Sequence, residues 1–192
     1  MFSVVKTLSQ TFYARPTLTV ARELLGARLV RILDGVRLAG IITEAEAYVG
    51  EEDLGCHAKS GKTKRNAAMY GPPGHAYVYF TYGMHWMLNV VTEQEGFPAA
   101  VLIRAMEVVE GADIISARRQ GGDTTGPAKL TQALGIDATL NGVSLCDPDS
   151  SLWIEAGTPV AGSDIITTPR VGLTTVPEPW KSAPWRFQMR RR

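Results

Sequence analysis

Two carboxylates two residues apart on an alternating segment are the first feature of this chain with the makings of chemistry. They stand in Glu44-Ala45-Glu46-Ala47-Tyr48. In an extended strand, residues i and i+2 share a face, so Glu44, Glu46 and Tyr48 point one way and Ala45, Ala47 and Val49 the other. Carboxylates so placed repel, and each can titrate high, pair with a cation or turn to water. Burying one unpaired among small apolar residues is costly. Two readings follow: an edge strand with a solvated acidic face, or a general base held in a pocket.

The second constellation is the run Tyr77-Val78-Tyr79-Phe80-Thr81-Tyr82-Gly83-Met84-His85-Trp86-Met87-Leu88-Asn89. Aromatics at this density usually build a core. Tyr82, however, falls at the tip of a hairpin, where nothing within the chain need cover it. An exposed aromatic tip suits base stacking or insertion into a duplex. If the loop takes three residues rather than two, Tyr79 and Asn89 share a face, and the sequence leaves that register open. From Leu54 to Thr92 there is no acidic residue, against Lys59, Lys62, Lys64 and Arg65.

A third stretch, Gly121-Gly122-Asp123-Thr124-Thr125-Gly126, has the glycine spacing of a phosphate loop, but Pro127 stands where that motif needs Lys. It reads as a turn whose amides, with Lys129 nearby, can meet a phosphate. Nucleophile-elbow, dinucleotide-binding and zinc-deaminase signatures do not occur. Two cysteines and three histidines spell out neither a disulfide scaffold nor a zinc cage.

The elements that must carry these residues can be read in order. Arg15-Pro16-Thr17 opens a helix, with Thr17 or Thr19 as its cap and Gly26 as its end. Arg28 to Leu33 and Val36 to Val49 read as strands around an Asp34-Gly35 hairpin turn. Lys64 to Met69 has the pattern of a short helix, stopped by Gly71-Pro72-Pro73-Gly74. His75–Thr81 and Met84–Val91 form a second hairpin, and Ala99 to Ala105 another strand. Ala112 to Arg119 is helical, as is the segment from Pro127 to Leu134, where Pro takes the first helical position. Ser151–Glu155, Asp164–Thr168 and Arg170–Leu173 complete the strands.

The chain has 192 residues, 45% hydrophobic and 20% charged, which suits one mixed α+β domain and excludes a coiled coil or a disordered chain. No apolar run approaches the roughly 18 residues of a membrane helix, and the N-terminus lacks a signal pattern, so an intracellular protein is expected. Net charge is +1, but Arg supplies 14 of the 20 cations, and the cations of 59–65 and of the tail ending Arg190-Arg191-Arg192 stand unopposed by acidic neighbours. One face is therefore suited to a polyanion, the alternative being scattered solvated charge and a loose tail.

Several motifs then stand together in order: Glu44-Ala-Glu46-Ala-Tyr48, Cys56-His57-Ala, Arg65-Asn66-x-x-Met69-Tyr70-Gly-Pro-Pro-Gly74, the aromatic hairpin, Leu88-Asn89-Val, Val101-Leu-Ile-Arg104-Ala and Gly126-Pro-Ala-Lys129-Leu-Thr-Gln-Ala-Leu. In that arrangement the chain resembles the alkyladenine (3-methyladenine) DNA glycosylases of mammalian type, from Ala21 almost to the C-terminus. The resemblance implies a curved, largely antiparallel sheet with surrounding helices and a β-hairpin projecting toward DNA. It implies a monofunctional repair enzyme that binds double-stranded DNA as a monomer, flips a damaged purine and hydrolyses its N-glycosidic bond. No metal or organic cofactor is implied.

Residue by residue, the resemblance makes Glu46 the general base, with Arg104 and the backbone carbonyl of Val171 holding its water. Tyr48, His57 and Tyr79 box the flipped base, and Asn89 rejects guanine's exocyclic amine. Tyr82 is the wedge, supported by Met69 and Tyr70, while Lys59, Lys64, Arg65 and Lys129 are the cations placed to meet phosphates. Ala45 departs from the hydroxyl residue common between the two glutamates, and Thr174-Thr175-Val176 from the usual stretch after Arg-Val-Gly. Two other readings remain open: a damage-binding module without catalysis, and a hydrolase of modified nucleosides or RNA, which would not need Tyr82.

Overall fold

Asp34 and Gly35 adopt φ of 52° and 78°, the positive values that a two-residue hairpin turn demands. They join β1 (Arg28–Leu33) to β2 (Val36–Val49), the longest strand of the fold. The computed structural model describes residues 6–190; the expectation for the N-terminal segment falls partly, and that for Arg191 and Arg192 wholly, outside them. Four α-helices occur among the described residues: α1 (Gln10–Tyr13), α2 (Thr17–Glu23), α3 (Ala112–Arg118) and α4 (Pro127–Leu134). The remaining strands are β3 (Ala76–Thr81), β4 (His85–Val91), β5 (Ala99–Glu110), β6 (Leu152–Glu155), β7 (Ile165–Thr168) and β8 (Arg186–Met189).

The fold is mixed α+β with a curled antiparallel sheet in the order β3-β4-β5-β2-β1-β6, to which β8 adds along β2 and β7 along β8. β2 is its spine. It pairs with β5 over most of its length, while β1 takes its first half and β8 meets Glu44 to Glu46. Register shifts interrupt the β2–β5 ladder beside Gly40 and on both sides of Glu44. Such bulges bend a strand and sharpen its twist, which curls the sheet where the carboxylates lie.

Alternation then sorts the central strands into two faces. Ala45, Ala47, Val78, Leu88, Val90, Val101 and Ile103 enter the main core with Leu24, Leu29 and Ile42. α2 packs on β2 and β5, and α4 on β4 and β5. The opposite face carries a smaller cluster of Cys56, Ala58, Met69, Tyr70, Tyr77, Val91 and Ala100, with Tyr48 and Tyr79 against it.

Several local expectations need correction. Pro16, not a threonine, occupies the N-cap of α2; the Thr17 amide and hydroxyl donate to Glu93 at 2.7 and 2.9 Å, so a distant carboxylate ties down the helix start. The short helix after Lys64 is only a 3-10 turn, Ala67–Tyr70. β5 continues five residues beyond Ala105 because β2 is long enough to pair with it. Arg170 to Leu173 is a turn rather than a strand, since the Val171 amide is claimed by a carboxylate and Gly172 takes φ 82°. The tail is fastened at its start: the Arg190 amide donates to the Asp164 carbonyl and its Nε to that of Ser163.

Ile103, fully buried at the centre of β5, should tolerate truncation poorly. Ile103→Ala is expected to lower stability by about 2–5 kcal/mol through lost burial and an unfilled cavity. Urea unfolding monitored by tryptophan fluorescence would show it, and a loss below ~1 kcal/mol would mean the site collapses around the deletion.

Candidate active site

The face opposite the main core holds one cross-strand row: Tyr77 on β3, Asn89 on β4, Leu102 on β5 and Glu46 on β2, each paired with the next. Glu46 has no solvent exposure. Its Oε1 accepts the Val171 amide at 2.7 Å; its Oε2 accepts the Tyr48 hydroxyl at 2.9 Å and Arg104 Nη1 at 3.4 Å. Burial raises the Glu46 pKa, opposed by the Arg104 charge, the Val171 amide and the Tyr48 hydroxyl, with Glu44 adding to the rise. Glu44 is the shorter partner of Arg104, at 2.7 Å to Nε, and also lies 3.6 Å from Arg186 Nη1. The two glutamates therefore share a face and one guanidinium, and the solvated acidic strand is ruled out.

In front of this network lies a cavity of about 320 Å³, lined by Tyr48, His57, Met69, Tyr77, Tyr79, Tyr82, Asn89, Arg104 and Val171 among others. That volume suits a small planar ligand. Glu46 is not on the wall; the three groups that hold it are. His57 meets Tyr79 edge-on with ring centroids 4.4 Å apart, and its Nδ1 lies 2.9 Å from the Tyr77 hydroxyl. Desolvation by the packed rings lowers the His57 pKa, although part of the residue is open to solvent, and Arg65 and Lys59 lower it further, which favours the neutral ring. Asn89 is buried and its Nδ2 donates to the Tyr77 carbonyl at 3.0 Å, which fixes the amide across the hairpin. A larger groove of about 1300 Å³ opens among β2, β5 and residues 156–164, but among the described residues no aromatic ring lines it.

A sequence model of the methylpurine-DNA glycosylases matches residues 11–192. The chain belongs to that family. A protein of Carboxydothermus hydrogenoformans is 51% identical over 187 residues, covering 95% of each chain. One of Methanocella arvoryzae is 49% identical over 185 residues, covering 94% of this chain and 90% of its own. One of Chlorobaculum parvum is 49% identical over 183 residues, covering 92% and 87%. Each bears the name "Putative 3-methyladenine DNA glycosylase". The present chain is accordingly a DNA glycosylase, a hydrolase of damaged-DNA repair.

The glycosylase hairpin closes through three residues, Tyr82-Gly83-Met84, between the paired Thr81 and His85. That length settles the register and puts Tyr77, Tyr79, Met87 and Asn89 on the cavity side. Tyr82 (81% exposed, φ 53°) and Met84 (68% exposed) stand out at the tip. Met69 and Tyr70 are both buried, Met69 lining the same cavity as Tyr82 and Tyr70 with its hydroxyl on Glu51 at 2.7 Å. Lys59, Lys64 and Arg65 are exposed, Arg65 reaching the Phe80 carbonyl at 3.1 Å on the hairpin. Lys129 pairs with Asp123 at 3.1 Å, so its charge is already partly answered on the surface. The described residues include no helix long and apolar enough to cross a membrane.

Sequence reasoning missed Asp53 and Arg170, which form a fully buried ion pair behind Tyr48. The one local signal was a lone Asp in the loop after β2, with nothing to name its partner 117 residues away.

Because folding raises the Glu46 pKa, the fold prefers this group protonated. Its contribution to stability is complete below the unfolded pKa and is lost as pH rises through the folded one. Relative to wild type, Glu46→Gln should therefore gain stability as pH goes from about 4 to 7. Urea midpoints for both proteins across that range test this; a constant difference would mean that the carboxylate titrates normally.

Proposed function

We propose that this glycosylase flips an alkylated or deaminated purine out of duplex DNA into the aromatic cavity and hydrolyses its N-glycosidic bond with a water activated by Glu46. The substrates of this reading are 3-methyladenine, 7-methylguanine, hypoxanthine and ethenoadenine. The observation that carries it is a carboxylate without solvent exposure, held by Tyr48, Arg104 and Val171, all of which line that cavity.

The chemistry follows from the geometry. The flipped base stacks among Tyr48, His57 and Tyr79, whose faces accept any purine. Tyr82 and its exposed neighbours fill the space left in the duplex, offsetting part of the unstacking cost. A water held by Arg104 and Val171 gives its proton to Glu46 as its oxygen attacks the sugar carbon, and the base departs. The long 3.4 Å contact from Arg104 is the one that such a water opens. Among the described residues no lysine lines the cavity to form a Schiff base, which supports hydrolysis without strand cleavage.

Glu46 has to be ionised to accept the proton, and its raised pKa moves the acid limb of activity upward from the ordinary carboxylate value. Activity falls as pH drops through that limb. Glu46→Gln should reduce base release about 10²–10⁴-fold while leaving DNA binding nearly intact. Glu44→Gln should lose less, since Glu44 only holds Arg104. Base release from duplexes carrying each of the four lesions makes the comparison, and equal losses would overturn the choice of base.

Asn89 supplies selectivity in this reading. Stacking cannot separate damaged adenine from normal guanine, whereas a fixed polar group beside the base edge can refuse the extra amine. Asn89→Ala is expected to raise release of guanine-type bases relative to hypoxanthine. A uniform fall with the ratio unchanged would reduce Asn89 to a hairpin fastener on the Tyr77 carbonyl.

A further inference from the structure

Behind the cavity, Arg170 and Asp53 face each other as a two-pronged pair, Nη1 to Oδ2 at 2.6 Å and Nη2 to Oδ1 at 2.8 Å, with neither side chain exposed. Such a pair is a weak source of stability. Desolvating two charges consumes most of their attraction, and well-packed apolar residues often serve the fold as well. What a bidentate fork supplies is direction. The groups attached to this one lead to Val171, to Tyr48 and to the loop that carries His57.

On the Arg170 side, the next residue is Val171, whose amide holds Glu46 Oε1 at 2.7 Å. The Arg170 guanidinium also donates to the Ala47 carbonyl at 3.0 Å, between Glu46 and Tyr48 on β2. Its carbon lies 4.6 Å from the centre of the Tyr48 ring and 4.9 Å from that of Trp185, so it is held between two aromatic faces. On the Asp53 side, the carboxylate accepts the amides of Val49 at 3.2 Å and Gly55 at 2.9 Å, and the Asp53 carbonyl accepts that of Cys56. The loop so shaped delivers His57. Gly55 lies hard against Arg170: a Cβ there would come within 2.8 Å of Nη2.

We propose that the Asp53–Arg170 pair is a positioning element for the reaction, setting the Val171 amide on Glu46 and fixing the walls that carry Tyr48 and His57. This rests on the reading of Glu46 as the general base. Loosening the pair withdraws the Val171 amide from the carboxylate and leaves the Tyr48 ring, which packs on Arg170, less firmly held. Glu46 then keeps Tyr48 and Glu44 from its own strand, Arg104 from β5 and Arg186, its neighbour on β8, but loses a neutral donor that favoured ionisation. The acid limb of the reaction moves to higher pH, and the aromatic walls lose their alignment.

The test is single-turnover base release from a hypoxanthine-containing duplex as a function of pH, with DNA affinity and thermal unfolding measured alongside. Arg170→Lys keeps the charge but not the fork. The double variant Asp53→Asn/Arg170→Gln leaves no unpaired charge buried. In each, the rate at pH 7 should fall roughly 10- to 100-fold, and the acid limb should rise by about one pH unit, with affinity changed only a few-fold. Variants that melt earlier yet keep the wild-type limb would make the pair purely structural and overturn the proposal, as would failure of both to fold. Glu46→Gln serves as the control: activity in that variant would remove the base assignment itself, independently of either pair variant.

Discussion

Keeping a carboxylate ionisable away from water requires donors placed before it arrives, because its lost hydration has to be replaced by fixed hydrogen bonds. Glu46 receives them from residues 48, 104 and 171: its own strand, the neighbouring strand and a turn near the C-terminus. No local segment can assemble that set. The bulges around Glu44, the long β2–β5 ladder and the return of the chain through β7 and β8 all serve to close it. The same closure explains why the segment after Thr168 leaves the strand conformation, since an amide bonded to a carboxylate is withdrawn from any ladder.

The two faces of β2 and β5 divide the work. One is built of small and branched apolar residues and carries α2 and α4; the other carries Glu46, Tyr48, Leu102 and Arg104. A period-two strand makes this division unavoidable: a slip of one residue would send the carboxylates into the core and the alanines into the cavity. The cavity is electrostatically uneven. Cations lie behind and beside it, Arg170 against Tyr48 and Arg65 near Tyr79, while desolvation pushes the His57 pKa down and those of Tyr48 and Tyr79 up. Neutral rings offer their faces to a base, and the nearby guanidiniums lower the cost of an ionised Glu46.

Much of this was legible in order along the chain. The β1–β2 hairpin follows from Asp34-Gly35, helix α4 from Pro127, and the shared face of Glu44, Glu46 and Tyr48 from simple alternation. The hairpin register was not, because two- and three-residue loops satisfy the same glycine; backbone pairing of Thr81 with His85 chose between them. The burial of Met69 and Tyr70 was not legible either, because it comes from packing with Cys56, Tyr77 and Val91 on distant elements. β8 is four residues long, too short for a pattern, and exists because β2 presents an edge beside Glu44.

What the amino-acid sequence by itself determined is therefore a set of features that depend on neighbours within a few residues: the Asp34-Gly35 turn, the faces of β2, the start of α4, and the ordered motifs by which the chain resembles its family. What only the tertiary structure decided is which distant groups meet. Glu44 is the closer partner of Arg104; Asp53 and Arg170 find each other across 117 residues; Val171 offers its amide to Glu46. Those meetings turn on how a bulged sheet curls and where a loop returns, and both are set by the packing of the whole core rather than by any local run of side chains.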